Sequence, residues 1–304
     1  MSVWWPGSGE TFIARAPLTF ATGAATRVKG MRWFRDPERN DIQNELDGWP
    51  EGPSYTARSS GSTAGRNTVK GAAMAVGVAV MGLLSSQSGS VGPGRSDKGS
   101  DTSHDRPDEV EDFPVMWAAR GSTARTLPWQ LDPSRSPQDE YRTHAIVTDQ
   151  RLVIVGFPYT KEEEKYISDE FLWATPRSDI ERVELRDFKL GNDAKIAFTD
   201  GSWCRVSSIK RERLTRYLIE PVDFIPLTSL TQAQRNTAEM FAAAQAPDAQ
   251  PPLVKQNPCG CFRVEVVAPS TVHASFGHSG LNTVMDVNGT ELGLTEYHQE
   301  DFLT

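Results

Sequence analysis

The sequence predicts an α+β fold that is mainly β: a partly open barrel of strands capped by one C-terminal helix. Two observations lead to this prediction. Short segments rich in β-branched and aromatic residues follow one another between Val115 and Arg205, with turn-forming residues between them. An amphipathic segment, Ile209 to Ile219, comes directly afterwards and stops before Pro221. The flanks are expected to be disordered or loosely packed, because they are polar and rich in Gly, Pro and Ser.

Composition narrows the classes of function. The chain has 304 residues, which suggests one or two domains, and its net charge of -8 argues against non-specific binding of nucleic acid. Three cysteines make no disulfide framework and favour a reducing cytoplasm. The N-terminus shows no basic segment followed by an apolar one, so we expect no signal peptide. Peripheral association with a membrane stays open.

Shifts in composition divide the chain into five expected regions. Apolar residues are sparse at the N-terminus and again between Ser85 and Asp112, where Ser, Gly, Asp and Pro dominate. The regions are a polar, poorly ordered N-terminal region (1–66), an apolar helix (67–86), a disordered linker (87–112), the barrel with its helix (113–221), and a helix with a small β appendage (222–304).

The most apolar stretch runs from Gly71 to Leu84. As a helix it would span roughly 21 Å, short of the ~30 Å hydrocarbon core of a bilayer. Its alternation of small and larger residues also suits a buried strand. A self-associating or buried helix, a membrane-inserting segment and a strand therefore all remain open. The residues expected to make the contacts are Met74, Val76, Val78, Val80, Met81, Leu83 and Leu84.

Two hairpins support the predicted strand order. HAIVTD and RLVIVGF flank a turn about Asp149-Gln150, and KIAFT and SWCRV flank a turn at Asp200-Gly201. A two-residue loop at the second turn would place Phe198 opposite Trp203, where the two rings would pack on one face. The strands between the hairpins are EFLWAT, from Glu170 to Thr175, and DIERVEL, from Asp179 to Leu185.

The capping helix has an apolar and a basic side. Leu214, Tyr217 and Leu218 recur at helical spacing and are expected to face the core. The basic side is a candidate ligand-binding face for phosphates or an acidic partner, and a solvated helix exterior is the alternative. Its residues are Lys210, Arg211, Arg213 and Arg216.

Three turn and core motifs carry a family resemblance. They are Thr148-Asp149-Gln150-Arg151-Leu152, Ile180-Glu181-Arg182-Val183 and Asp200-Gly201-Ser202. Together they resemble the pattern of bacterial pleckstrin-homology-like and GRAM-like domains over residues 113–220, with Gln150 in place of a common arginine. The resemblance implies a pleckstrin-homology-like barrel that binds lipid headgroups or proteins. It does not imply a particular ligand.

The C-terminal region offers one candidate metal set. Cys259 and Cys261 precede His273 and His278, in the spacing C-x-C, eleven residues, H-x4-H. Structural zinc sites usually place two to four residues between cysteines, so a single Gly260 is tight, although glycine permits unusual dihedral angles. A redox dithiol and a reduced loop are the alternatives. Around this set we expect a helix at 229–244, a strand at 262–268 and a hairpin about Asn288-Gly289.

No catalytic motif is readable in the chain. GSTAG (Gly61 to Gly65) has threonine at its centre and follows no apolar strand, so it is not a nucleophile elbow. No phosphate-binding loop and no H-E-x-x-H helix occurs. We therefore expect a non-catalytic adaptor or scaffold without a cofactor, which binds an unknown protein partner or a membrane surface. A membrane-anchored protein, a homo-oligomer and a metal-binding factor are the alternatives.

Overall fold

The structure, a computed structural model, describes residues 3–21, 23, 33–50, 112–132, 141–159, 167–188, 191–220 and 223–298. These residues form mostly sheet with few helices, which confirms the mainly β, α+β prediction. The strands are β1 (Phe12–Pro17), β2 (Thr19–Phe20), β3 (Phe34–Arg35), β4 (Met116–Trp117), β5 (Tyr141–Thr148), β6 (Arg151–Pro158), β7 (Glu170–Pro176), β8 (Ile180–Phe188), β9 (Gly191–Phe198), β10 (Trp203–Ser207), β11 (Leu253–Gln256), β12 (Phe262–Pro269) and β13 (His278–Met285). The helices are α1 (Arg211–Ile219), α2 (Gln232–Ala243) and α3 (His273–Phe276).

The first sheet has four antiparallel strands in the order β1-β5-β6-β7. β5 and β6 form a hairpin in which Val147 pairs with Leu152. The turn between them is at Asp149 and Gln150, so the predicted hairpin is confirmed. β7 pairs with β6 and ends at Pro176, which agrees with the strand predicted over Glu170 to Thr175.

The second sheet follows the order β3-β4-β10-β9-β8, and β2 also pairs with β10. Only Leu18 separates β1 from β2, so one segment crosses from the first sheet to the second. β7 is the last strand of the first sheet and β8 the last strand of the second, and these two do not pair with each other among the described strands. The two sheets therefore do not close into a barrel.

The β9–β10 hairpin corrects the predicted register. Trp203 pairs with Ala197, the residue before Phe198. The N–H of Gly201 donates to Phe198 O at 2.9 Å, the N–H of Phe198 donates to Ser202 O at 2.8 Å, and Gly201 has a φ of 82°. This is a type I turn closed by a glycine bulge, so the two-residue loop was wrong. Trp203 stacks instead on Trp117 of β4, with ring centroids 6.3 Å apart.

Both sheets and α1 share one hydrophobic core. Val147 and Ile154 contribute from the first sheet, and Ile196 and Phe198 from the second. The helix side predicted to be apolar is buried, as expected from its 3.6-residue periodicity. Its core residues are Leu214, Tyr217 and Leu218.

The N-terminal residues belong to this core, although residues 1–66 were expected to be polar and poorly ordered. β1 pairs with β5 from Phe12 to Pro17. The strand was not predicted because Arg15 and Pro17 interrupt its apolar run. Other buried side chains from this region are Ile13, Leu18, Phe20, Phe34, Ile42 and Leu46.

The third sheet, in the order β11-β12-β13, packs on the first sheet. Leu253 and Val267 form a second buried cluster with Ile146 and Val153, which point away from the main core. This explains why β5 and β6 carry consecutive buried residues, since a sheet that is covered on both faces needs no polar alternation. The predicted C-terminal helix and strand are confirmed as α2 and β12.

No helix in the described ranges is long and apolar enough to cross a membrane. The apolar segment from Gly71 to Leu84 lies outside those ranges, and so does the predicted linker apart from Asp112. A role for this segment in membrane attachment or self-association stays a prediction. The residues concerned are Met74, Val76, Val78, Val80, Met81, Leu83 and Leu84.

Candidate functional site

Lys210, directly before α1, and Arg211, its first residue, contact neighbouring strands. The Nζ of Lys210 donates a hydrogen bond to the carbonyl oxygen of His278 in β13. Burial, followed by a neighbouring positive charge, lowers the pKa of Lys210 to about 8. The guanidinium of Arg211 donates to Asp187 Oδ1 in β8 at 2.6 Å. Both side chains are therefore used within the protein.

Arg213 and Tyr217 hold α1 against the third sheet. Arg213 forms an ion pair with Glu265 of β12. The Tyr217 hydroxyl donates to the other oxygen of the same carboxylate at 2.6 Å. Burial and the Glu265 charge raise the pKa of Tyr217, so its hydroxyl stays protonated and remains a donor. Arg213 also lies over Gly280 in β13, where any Cβ would clash with the guanidinium.

Arg216, the fourth predicted residue, lines a pocket between α1 and the β11–β12 hairpin. This pocket has a volume of about 190 Å³. Sites for drug-sized ligands and cofactors usually occupy about 300–1,000 Å³, so the pocket is better suited to one or two side chains of a partner. The charged residues that line it are Arg216, Glu220, Asp223, Lys255, Arg263 and Glu265.

The basic residues of this pocket are more buried than Glu220 and Asp223. Arg263 is 4% exposed, and Arg216 and Lys255 are half-buried. Glu220 and Asp223 are exposed. The pocket therefore has a basic wall and an acidic rim, which favours a single anionic group at its base over a broad anionic surface.

Arg216, in the wall of this pocket, can donate a further hydrogen bond. The Nε of Arg216 is buried and has no hydrogen-bond acceptor among the described residues, while its guanidinium lies 5.2 Å from the ring centroid of Tyr217. The two oxygens of Glu265, in the same pocket, accept hydrogen bonds from Arg213 and Tyr217. A carboxylate that entered the pocket would supply the acceptor that Arg216 Nε lacks.

The predicted metal set is divided between two places. His273 and His278 lie together, with ring centroids 4.4 Å apart, and His144 lies 6.3 Å from His273. Cys259 and Cys261 precede β12, whose eight residues span about 26 Å before the chain reaches His273. The structure therefore does not bring the four predicted ligands together.

His144 makes a hydrogen bond through each of its two ring nitrogens. Arg15 Nε donates to its Nδ1 at 3.0 Å, so Nε2 carries the proton and donates to Ala274 O at 3.0 Å. Arg15 also forms a bidentate ion pair with Asp169, at 2.6 and 2.7 Å. Burial, followed by the Arg15 charge, holds the pKa of His144 well below its usual range. The ring therefore serves as a neutral structural link.

These buried histidines predict that acid destabilises the protein. Burial lowers the pKa of His273 to about 3 and that of His278 to about 2, with smaller effects from neighbouring positive groups. Histidine in an unfolded chain titrates near pH ~6.5, so below that pH the unfolded state binds protons that the folded state does not. Stability is full above this pH and falls by about 1.4 kcal/mol per histidine for each pH unit below it.

We expect the free energy of unfolding, measured in urea, to fall steeply between neutral pH and about pH 5. His273→Gln should reduce this slope by one histidine's share. Met240→Gln, at a position that is 72% exposed and carries no titrating group, is the control and should leave the slope unchanged. A free energy of unfolding that does not vary with pH over this range would contradict the burial of neutral histidines.

Cys259 and Cys261 have a different neighbour, which sequence reasoning missed. Their Sγ atoms and a ring nitrogen of His298 all lie within 4.8 Å of one another. In the part of the chain that the structure describes, no other three His, Cys, Asp or Glu ligands meet this distance. The sequence offered one signal for this neighbour. The acidic tail that follows the predicted hairpin at Asn288-Gly289 contains a histidine, His298.

The pocket was missed for a related reason, because Arg216 and Arg263 belong to different predicted regions. The available signal was Arg263 itself, a charged residue in an otherwise buried strand.

No protein-family model, no curated protein and no solved structure matches this chain.

Proposed function

We propose that the chain is a non-catalytic binding protein that recognises an acidic segment of a protein partner where its pleckstrin-homology-like module meets the third sheet. The observation that carries this proposal is the basic-walled pocket between α1 and the β11–β12 hairpin. One of its arginines, Arg216, has a buried donor without an acceptor among the described residues. A pocket with such a donor is a site where binding adds a hydrogen bond without first breaking one.

The arrangement of strands supports the pleckstrin-homology-like assignment. The segment of β1 and β2 crosses between the two sheets, β5 to β7 complete the first sheet, and β8 to β10 complete the second. α1 follows β10 and covers the shared core. The chain thus has the antiparallel strands and the single capping helix that the family resemblance implies. The first strand lies near residue 12, well before the expected start at residue 113.

The size and charge of the pocket favour a carboxylate side chain as the ligand. Its volume of about 190 Å³ holds an Asp or Glu side chain with room for a neighbouring group. Arg216 can donate to the carboxylate, and Lys255 and Arg263 add positive charge to the wall of the pocket. The exposed Glu220 and Asp223 would then face a polar or basic residue beside it.

A protein partner is favoured over a lipid surface for two reasons. The acidic rim and the net charge of -8 would repel an extended anionic bilayer. In addition, the other basic residues of α1 are engaged within the protein: Lys210 with His278, Arg211 with Asp187, and Arg213 with Glu265. Few cations on this helix remain available for phosphates.

Selection of short random peptides against the full-length chain tests this proposal. We expect the selected peptides to share an acidic residue, and their binding to weaken with salt, because a charge-assisted contact is screened. Phosphatidylcholine vesicles with and without phosphatidylserine should sediment without the protein. Binding to the phosphatidylserine vesicles, or selected peptides without acidic residues, would contradict the proposal.

A further inference from the structure

We propose that Cys259, Cys261 and His298 bind one Zn²⁺ ion. Thiolate sulfur and imidazole nitrogen are the ligand atoms that zinc prefers in proteins. The three ligand atoms lie within 4.8 Å of one another, which leaves only a small adjustment before all three contact one ion. None of these three ligands lines the pocket at Arg216, so each proposal can fail without the other.

The turn between β11 and β12 explains how a C-x-C sequence can place both sulfurs on one ion. Asn257 N donates to Cys261 O at 2.9 Å, and Gly260 N donates to Asn257 O at 2.9 Å. Gly260 has a φ of 90°, which favours glycine and reverses the chain between the two cysteines. The side chain of Gln256 also donates to Gly260 O at 3.2 Å. A hydrogen-bonded turn therefore holds Cys259 and Cys261 on the same side.

The third sheet explains how His298 reaches this turn. Phe262, the residue after Cys261, pairs with Met285 at the end of β13. The chain then turns at Gly289 and runs back along β13, where Leu292 N donates to Val284 O at 2.9 Å. The hydroxyl of Tyr297 accepts a hydrogen bond from Val284 N at 3.1 Å. Tyr297 thereby anchors the next residue, His298, beside the turn.

The exposure of the group agrees with an ion that enters from solvent. Cys259 and Cys261 are half-buried, and His298 is exposed. Binding of Zn²⁺ displaces a proton from each thiol, so two thiols release at most two protons, and the neutral imidazole contributes a lone pair. Zinc in proteins is usually four-coordinate, and three protein ligands leave one position for water or another ligand.

Titration of the reduced, chelator-treated full-length chain with Co²⁺ tests the site. We expect one Co²⁺ per chain, with the intense visible absorption of tetrahedral cobalt and a thiolate-to-cobalt charge-transfer band. One equivalent of Zn²⁺ should abolish both signals. No cobalt spectrum, or a stoichiometry far below one, would overturn the proposal.

Variants separate this three-ligand site from other metal binding. Cys261→Ser and His298→Gln should each weaken Zn²⁺ binding at least about tenfold, equivalent to about 1.4 kcal/mol. Glu239→Gln, which changes an exposed carboxylate on α2, should leave the affinity unchanged, and urea unfolding should show that each variant is folded. Full affinity in His298→Gln would overturn the proposal, because the cysteines alone would then account for the binding.

Discussion

Replacement of Asp169 by alanine is expected to lower the free energy of unfolding by about 3–5 kcal/mol. The side chains of Asp169 and Arg15 are 1% and 0% exposed, and they meet through two hydrogen bonds of 2.6 and 2.7 Å. Asp169 also accepts a hydrogen bond from Trp4 N at 2.7 Å. Its removal would leave the Arg15 guanidinium buried without a counter-charge, which costs more than the pair itself contributes.

The matched control is an ion pair at the surface. Arg120 meets Glu45 at 3.1 Å, but their side chains are 84% and 45% exposed. Arg120→Ala should therefore change the free energy of unfolding by less than about 1 kcal/mol. Urea unfolding of both variants measures the difference. If Asp169→Ala were as stable as Arg120→Ala, the buried pair would not hold β1 in place.

The fragment of residues 113–221, which the sequence suggested as a complete module, is expected not to fold on its own. Without β1, the β5 strand loses one of its two partner strands, and without β2 part of one edge of β10 is unpaired. Several large apolar side chains leave the core with them, at about 1.5–3 kcal/mol each. Their sum is comparable to the 5–15 kcal/mol by which domains are typically stable. The core residues lost are Ile13, Leu18, Phe20, Phe34, Ile42 and Leu46.

Circular dichroism and one-dimensional proton NMR measure this outcome, with the full-length chain as the reference. We expect the fragment to lack a near-ultraviolet signal, dispersed methyl resonances and a cooperative unfolding transition. A fragment that unfolds cooperatively, with dispersed resonances, would show that the N-terminal strands are dispensable for the core.

Local chemistry accounts for the parts of the fold that could be predicted. The turns at Asp149-Gln150 and Asn288-Gly289 are marked by residues within a few positions, and so is the apolar stripe of α1. The register at Gly201 was predicted wrongly, because Asp-Gly suits both a two-residue turn and a turn with a bulge. Only the pairing of whole strands distinguishes these two turns.

The rest depends on contacts between distant residues. β1 contains an arginine that becomes compatible with a buried strand only because Asp169 lies opposite to it. Arg213 was predicted on a ligand-binding face, yet Glu265, far along the chain, pairs with it. His298 reaches the cysteines only through the return of the chain along β13. Periodicity and spacing contain no information about such partners.

The most direct test of the proposed function is the affinity of one selected acidic peptide for two arginine variants, measured by titration calorimetry. Arg216→Gln should weaken binding by about tenfold or more, because it removes a charge-assisted donor from the pocket. Arg120→Gln, at an exposed position outside the pocket, should bind like the unmodified chain. Equal affinities for Arg216→Gln and the unmodified chain would contradict recognition at this pocket.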